Sequence, residues 1–194
     1  MISHVDKRVG NIIQTLKDNG LYENTIIIFA GDNGLAVGQH GLMGKQNVYE
    51  HSVGVPLMIK AAAQHTGKKT ADLCYLIDVF PTLCDMLQLP VPQSVDGISL
   101  LSSLDGKEPV RDYLYYSYMD NQRGISDGTW KLIEYHVNGK RTTQLFNLKN
   151  DPWERNDLSG QKKYEKTIQR LREKMAEEQK RTNDTSVFWN NFSY

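Results

Sequence analysis

The stretch IIIFAGDNGLAVGQHGLMGK, residues 26–45, is a continuous apolar run that breaks off into an acid, an amide, glycines, a histidine and a lysine. Its opening part, TIIIFA at 25–30, is apolar at successive positions and rich in β-branched residues. That is the pattern of a parallel strand covered on both faces. Upstream, Val5, Val9, Ile12, Ile13 and Leu16 recur at helical spacing, and KDNG ends the helix with Gly20 as a left-handed cap. A helix feeding such a strand is half of a βαβ unit, so a further strand is expected before Met1. The expected fold class is α/β.

Downstream, VPLMIKA at 55–61 reads as another strand, entered through Pro56. DVFPTLCDMLQLP reads as a helix with Pro81 in its first turn and its end set by Pro90. After VDGISLLSSLDGKEP the character changes. YLYYSYM, WKLIEYHV and RTTQLFNL are aromatic and β-branched, with Asn138-Gly139 as a type I′ hairpin turn between the last two. This predicts a small antiparallel sheet. From about Gln161 to Arg181, Tyr164, Ile168, Leu171 and Met175 form one apolar stripe on a charged helix, which is expected to pack on that sheet. No internal repeat or low-complexity linker is present. A boundary near Gly106 divides the chain into a core portion, 1–106, and a sheet-and-helix subdomain, 107–194.

Charge and composition remove several classes of partner. The 194 residues suffice for a sizeable core. Lys and Arg number 23 and so do Asp and Glu, so no net field draws nucleic acid or an anionic membrane. No run approaches the roughly 18 apolar residues of a membrane span, and the first residues lack the basic-then-apolar pattern of an export signal. Neither nucleic acid nor membrane is expected as a partner. The two cysteines, Cys74 and Cys84, are too few for a disulfide scaffold and assign no compartment.

In an open α/β sheet, ligands bind beyond the carboxyl ends of the strands. Asp32 and Asn33 stand at such an end. A carboxylate and an amide oxygen are hard donors, suited to Ca²⁺ or Mg²⁺ rather than zinc or copper, and they supply two of the six to eight oxygens calcium takes. The surrounding glycines let the loop turn sharply. His40 and Lys45 add a hydrogen-bond donor and a positive charge for an anionic group. Each feature also has a plainer reading, since Asp-Asn-Gly is a common turn and loop histidines and lysines are often merely solvated.

The order of the motifs carries more than any one of them. LKDNGLYENTIIIFAGDNGLAVGQHGLMGKQNVYEHSVGVPLMI resembles the second-half signature of the sulfatase family, in the alkaline phosphatase superfamily. LIDVFPTLCDMLQLP is similar to the family's Asp-x-x-Pro-Thr helix and VDGISLLSSLDG to its Asp-Gly-x-Ser-Leu segment. DGTWKLI and QLFNLKNDPWERNDLS resemble its C-terminal sheet and Asp-Pro-x-Glu-x-x-Asn-Leu motif. Roughly residues 5 to 160 follow the family's order. The resemblance implies the C-terminal part of a sulfatase-like α/β sandwich, with a small antiparallel sheet and a C-terminal helix.

By resemblance, Asp32 and Asn33 match the family's divalent-cation ligands, usually of calcium, and Lys45 matches the lysine that contacts the substrate sulfate. His40 lies in the family's Gly-x-His-Gly element beside the site, with no proton-transfer role assigned to it. The family's nucleophile is a formylglycine made from the first residue of Cys/Ser-x-Pro-Ser-Arg. That motif does not occur here: Cys74 is followed by YLID and Cys84 by DMLQ. The arginine beside the nucleophile and the family's further metal aspartates are not found either. Gly54 stands where members often carry arginine before Val-Pro, and Ala30-Gly31 replaces the usual Thr-Ser before the metal aspartate.

Ester cleavage needs a positioned nucleophile as well as cationic stabilisation. The expectation is therefore the C-terminal portion of a sulfatase acting on a sulfated small molecule or glycan, inactive without the N-terminal half that bears the formylglycine. Two alternatives stay open. One is a phosphodiesterase or phosphonate hydrolase of the same superfamily. The other is a non-catalytic remnant or binding module in which Asp32 and Asn33 only shape a turn. Family members are often exported, periplasmic or lysosomal, which leaves localisation undetermined.

Overall fold

The computed structural model describes residues 1–61, 67 and 69–186. In chain order the elements are α1 (Ile2–Asp18), β1 (Ile27–Ala30), the short strands β2 (Ala36–Val37) and β3 (Met43–Gly44), α2 (Glu50–Val53) and β4 (Leu57–Lys60). Then come α3 (Val79–Met86), α4 (Leu101–Leu104), β5 (Leu114–Tyr118), β6 (Gln122–Ser126), β7 (Trp130–Val137), β8 (Lys140–Asn147) and α5 (Glu165–Arg181). The fold is mixed α/β, with small antiparallel sheets and a C-terminal helix. Among the described residues no helix is long and apolar enough to cross a membrane.

The chain forms two compact units. One comprises Met1–Ala30 and Pro56–Lys69. In it α1 ends as its sequence dictates: Gly20 takes a φ of +67° and the Leu21 amide caps the Leu16 carbonyl at 2.8 Å. The strand expectation needs correction. β1 pairs with β4 in antiparallel register, Ile27 opposite Lys60 and Ala30 opposite Leu57. Its residues are half-buried or exposed, with Phe29 39% exposed and Met58 on β4 58% exposed. A short unbroken apolar run fits a strand in either kind of sheet, so periodicity could not choose between them.

The second unit comprises Gly31–Val55 and Thr70–Tyr194. Its frame is the antiparallel meander β5-β6-β7-β8. Asn138 and Gly139 both take positive φ, 51° and 74°, as a type I′ turn between β7 and β8 requires. Successive residues of these strands face opposite sides. On one side Ile125, Leu132 and Leu145 lie in register and pack against Ile168, Leu171 and Met175 of α5, so the predicted helical stripe is core. On the other side Ile133 and Phe146 pack against Val48 and Tyr49. The segment holding the candidate residues thus lies on the second face of the sheet.

The Asp-x-x-Pro-Thr region is also part of this frame. Asp78 is fully buried, pairs with Arg111, and accepts the backbone amides of Tyr75 and Ile98 at 2.7 and 2.8 Å. One carboxylate thereby ties together three separate stretches of chain. The α3 helix ends at Met86, ahead of Pro90, where Gln88 turns the chain with a φ of 56°.

Candidate functional site

Asp32 and Asn33 open the loop that runs to α2. Gly34 clamps the loop's start: its amide donates to the Ser52 carbonyl at 2.9 Å. A Cβ on Gly34 would stand 2.0 Å from the His51 carbonyl oxygen, so no larger residue fits this approach. The third residue of Asp-Asn-Gly is glycine for that reason, beyond any turn preference.

The two-residue ladder of β2 and β3 pairs Ala36 with Gly44 and Val37 with Met43, which doubles the loop back on itself. Lys45 is returned to the loop's start, and its Nζ donates to Asn33 Oδ1 at 3.0 Å. Asn33 Nδ2 donates to the Gly34 carbonyl at 2.8 Å, which orients the amide with Oδ1 toward the lysine. The Asn33 amide N–H donates to Asp32 Oδ1 at 2.9 Å, and the Asp32 side chain is exposed. Asp32, Asn33 and Lys45 are therefore brought together.

His40 is held differently. It adopts a left-handed φ of 54°, its ring lies on that of Tyr49 with centroids 4.0 Å apart and planes 2° from parallel, and its Nε2 is 3.2 Å from the Trp153 carbonyl oxygen. A carbonyl only accepts, so Nε2 is the donor in this contact. Among the described residues the ring packs on Tyr49 and reaches the Trp153 carbonyl, and so anchors the loop to the Trp153 turn.

Beneath the loop lies a charge cluster for which sequence reasoning assigned no role. Lys131 is fully buried on β7, with Glu50 Oε1 at 2.8 Å and Glu154 Oε1 at 3.0 Å. The other Glu154 oxygen accepts the Glu50 amide at 2.6 Å. Burial pushes the Glu154 carboxyl up, against the downward pull of Lys131. Burial, with the charges of His40 and Lys131, holds the His51 imidazole below its usual value of 6.5. The cluster binds α2, and with it Ser52 and the clamp on Gly34, to the sheet. A signal was present: in WKLI, alternation puts Lys131 on the same face as apolar Ile133, and a lysine placed there must be paired.

A divalent cation of the calcium or magnesium type takes hard oxygen donors. Asp32 and Asn33 offer hard oxygens, and Asn33 Oδ1 has a second lone pair beyond the one Lys45 uses. They fit calcium or magnesium as part of a coordination sphere. Among the described residues no group of three or more His, Cys, Asp or Glu could hold a metal ion. The chain thus brings an acid-amide oxygen pair and one lysine together, short of a full coordination sphere.

Residues 38–181 match the family described as N-sulphoglucosamine sulphohydrolase, C-terminal. The chain is 30% identical over 193 residues to an N-acetylglucosamine-6-O-sulfatase of Bacteroides thetaiotaomicron, covering 93% of this chain and 34% of that protein. Among solved structures, one in complex with its substrate D-glucosamine-2-N,6-O-disulfate superposes with a TM-score of 0.81 at 28% identity, covering 97% of this chain and 40% of the other. A phosphonate monoester hydrolase of Agrobacterium radiobacter superposes with a TM-score of 0.77 at 28% identity, covering 91% and 39%. The chain spans about a third of the length of the relatives it matches.

Proposed function

Because this chain belongs to the sulfatase family, we propose that it is the C-terminal portion of an enzyme that hydrolyses sulfate esters of a sulfated carbohydrate. The observation that carries the reading is the contact between Lys45 and Asn33, which sets a cation beside an acid-amide oxygen pair. In that role Asp32 and Asn33 hold a divalent cation, calcium by analogy with the family. Such a cation, when bound, neutralises charge on the sulfate oxygens.

Lys45 does the work this chain can do on its own. Its ammonium holds a sulfate oxygen and stabilises the negative charge that builds up as the ester bond breaks. Asn33 fixes the ammonium's direction, and the Gly34 clamp fixes Asn33. His40 keeps the loop seated. The attack must come from elsewhere, since half-buried Cys74 and buried Cys84 lie outside any formylglycine motif. In this reading the chain is inactive until joined to a portion bearing formylglycine. The apolar surface exposed at Phe29 and Met58 supports a sheet that continues with further strands.

The test joins this chain to a formylglycine-bearing N-terminal portion and measures sulfate release from 6-O-sulfated N-acetylglucosamine. Turnover that falls by orders of magnitude in Asp32→Ala supports the reading, and unchanged turnover refutes the metal role. The likeness to a phosphonate monoester hydrolase favours one other reading, hydrolysis at phosphorus. Faster cleavage of a phosphonate monoester than of the sulfate ester would establish that reading instead.

A further inference from the structure

The sheet face that carries the site loop extends past it toward the β7–β8 hairpin, and a cleft of 440 Å³ lies between the two. That volume is in the range of small-molecule sites, about 300–1,000 Å³. Gln122, Tyr135 and Thr142 stand side by side in register on neighbouring strands and form the sheet wall. Gln46, the residue after Lys45, lines the loop wall. The stacked rings of His40 and Tyr49 give the cleft a flat aromatic side, held by the Tyr49 hydroxyl donating to Gln144 Oε1 at 2.7 Å.

The lining has a definite chemical character. It contains amides, a threonine hydroxyl and phenols, and burial keeps the Tyr135 phenol protonated. Among the described residues no carboxylate lines it, and the one lysine is Lys140, exposed at the start of β8. Gln122 Oε1 is buried without a hydrogen-bond partner among the described residues, so no internal bond at that oxygen fixes the amide. Side-chain amides both donate and accept, which suits neighbouring hydroxyl groups. A cationic ligand finds no counter-charge here, while one with many hydroxyls and a single negative charge finds both.

We propose that this cleft is a subsite for an acidic sugar ring adjoining the ring whose ester is cleaved, with Lys140 pairing its carboxylate or sulfate. The inference rests on Lys45 marking the sulfate site, because the same loop forms both. The test is titration calorimetry of the 194-residue chain with three glucosamine disaccharides. Their second rings are a uronic acid, a sulfated hexose and a neutral hexose.

At least one acidic disaccharide should bind tenfold or more tightly than the neutral one, and the tighter of the two identifies the anion. Lys140→Gln should abolish that preference, with Lys140→Ala as a second variant, while Thr142→Ala should weaken binding of all three. Equal binding of the neutral sugar, selectivity that survives both Lys140 variants, or no binding at all would overturn the proposal. Sulfate release by the joined enzyme is scored separately. Cleavage without cleft selectivity removes the subsite alone, whereas selectivity without cleavage removes the sulfatase reading and leaves the cleft as an acidic-sugar site with no cleaved ring beside it.

Discussion

Replacing Lys131 by methionine keeps most of the length of the side chain and removes the one cation that, among the described residues, pairs with both Glu50 and Glu154. Removing one partner of a buried ion pair costs about 3–5 kcal/mol. Glu154 is nearly fully buried but the Glu50 side chain is 32% exposed, so solvent relieves one of the two carboxylates. The lower end, about 3 kcal/mol, is the expected loss. For a domain of this size each kcal/mol moves Tm by about 2–4 °C, which gives a fall of roughly 6–12 °C at pH 7.

The pH dependence sharpens the test. Glu154 already has a raised carboxyl pKa, and loss of Lys131 removes a cause that lowers it. A carboxyl raised in the folded state contributes stability below its unfolded value, near 4.5, and loses it as pH rises through the folded value. The deficit of Lys131→Met should therefore shrink as pH falls from 7 toward 4.5. Adding Glu154→Gln should recover part of it, since an amide oxygen still accepts the Glu50 N–H. Thermal unfolding by circular dichroism at several pH values reads all of this. A Tm within 2 °C of wild type, or a deficit that grows toward acid, would refute the reasoning.

Gly34→Ala places a Cβ 2.0 Å from a carbonyl oxygen, and overpacking of this kind costs about 1–3 kcal/mol or more; urea unfolding should show it, and an unchanged midpoint would mean the loop yields freely. Lys45→Ala in the joined enzyme should impair both KM and kcat for the sulfate ester, while Lys163→Ala, beside the start of α5, should alter neither; equal effects would remove Lys45 from the site. The His51 imidazole should titrate below 6.5 by NMR. Its stability contribution is present above 6.5 and lost as pH falls through the lower folded value, so a midpoint at or above 6.5 would contradict the buried setting.

What could be read from the residues follows from the range of the interactions involved. The α5 stripe and the Asn138-Gly139 turn were legible because helical spacing and paired positive φ are local. That Asp32, Asn33 and Lys45 share one loop was legible, although only the fold reveals the ladder that joins residue 45 to residue 33. The pairing of β1 was not legible, since the run IIIFA specifies a strand and not the direction of its neighbour. Lys131 with Glu50 and Glu154 escaped because three charges far apart in sequence look like ordinary surface until a sheet buries them.

As proposed above, Asp32 and Asn33 form a cation site and more than a turn. Calcium titration of the 194-residue chain by calorimetry, beside Asp32→Ala, tests it most directly. The expected result is a measurable heat of binding for the wild type that disappears in the variant. No binding by either protein, or the same isotherm from both, would contradict it and return these residues to the role of a turn.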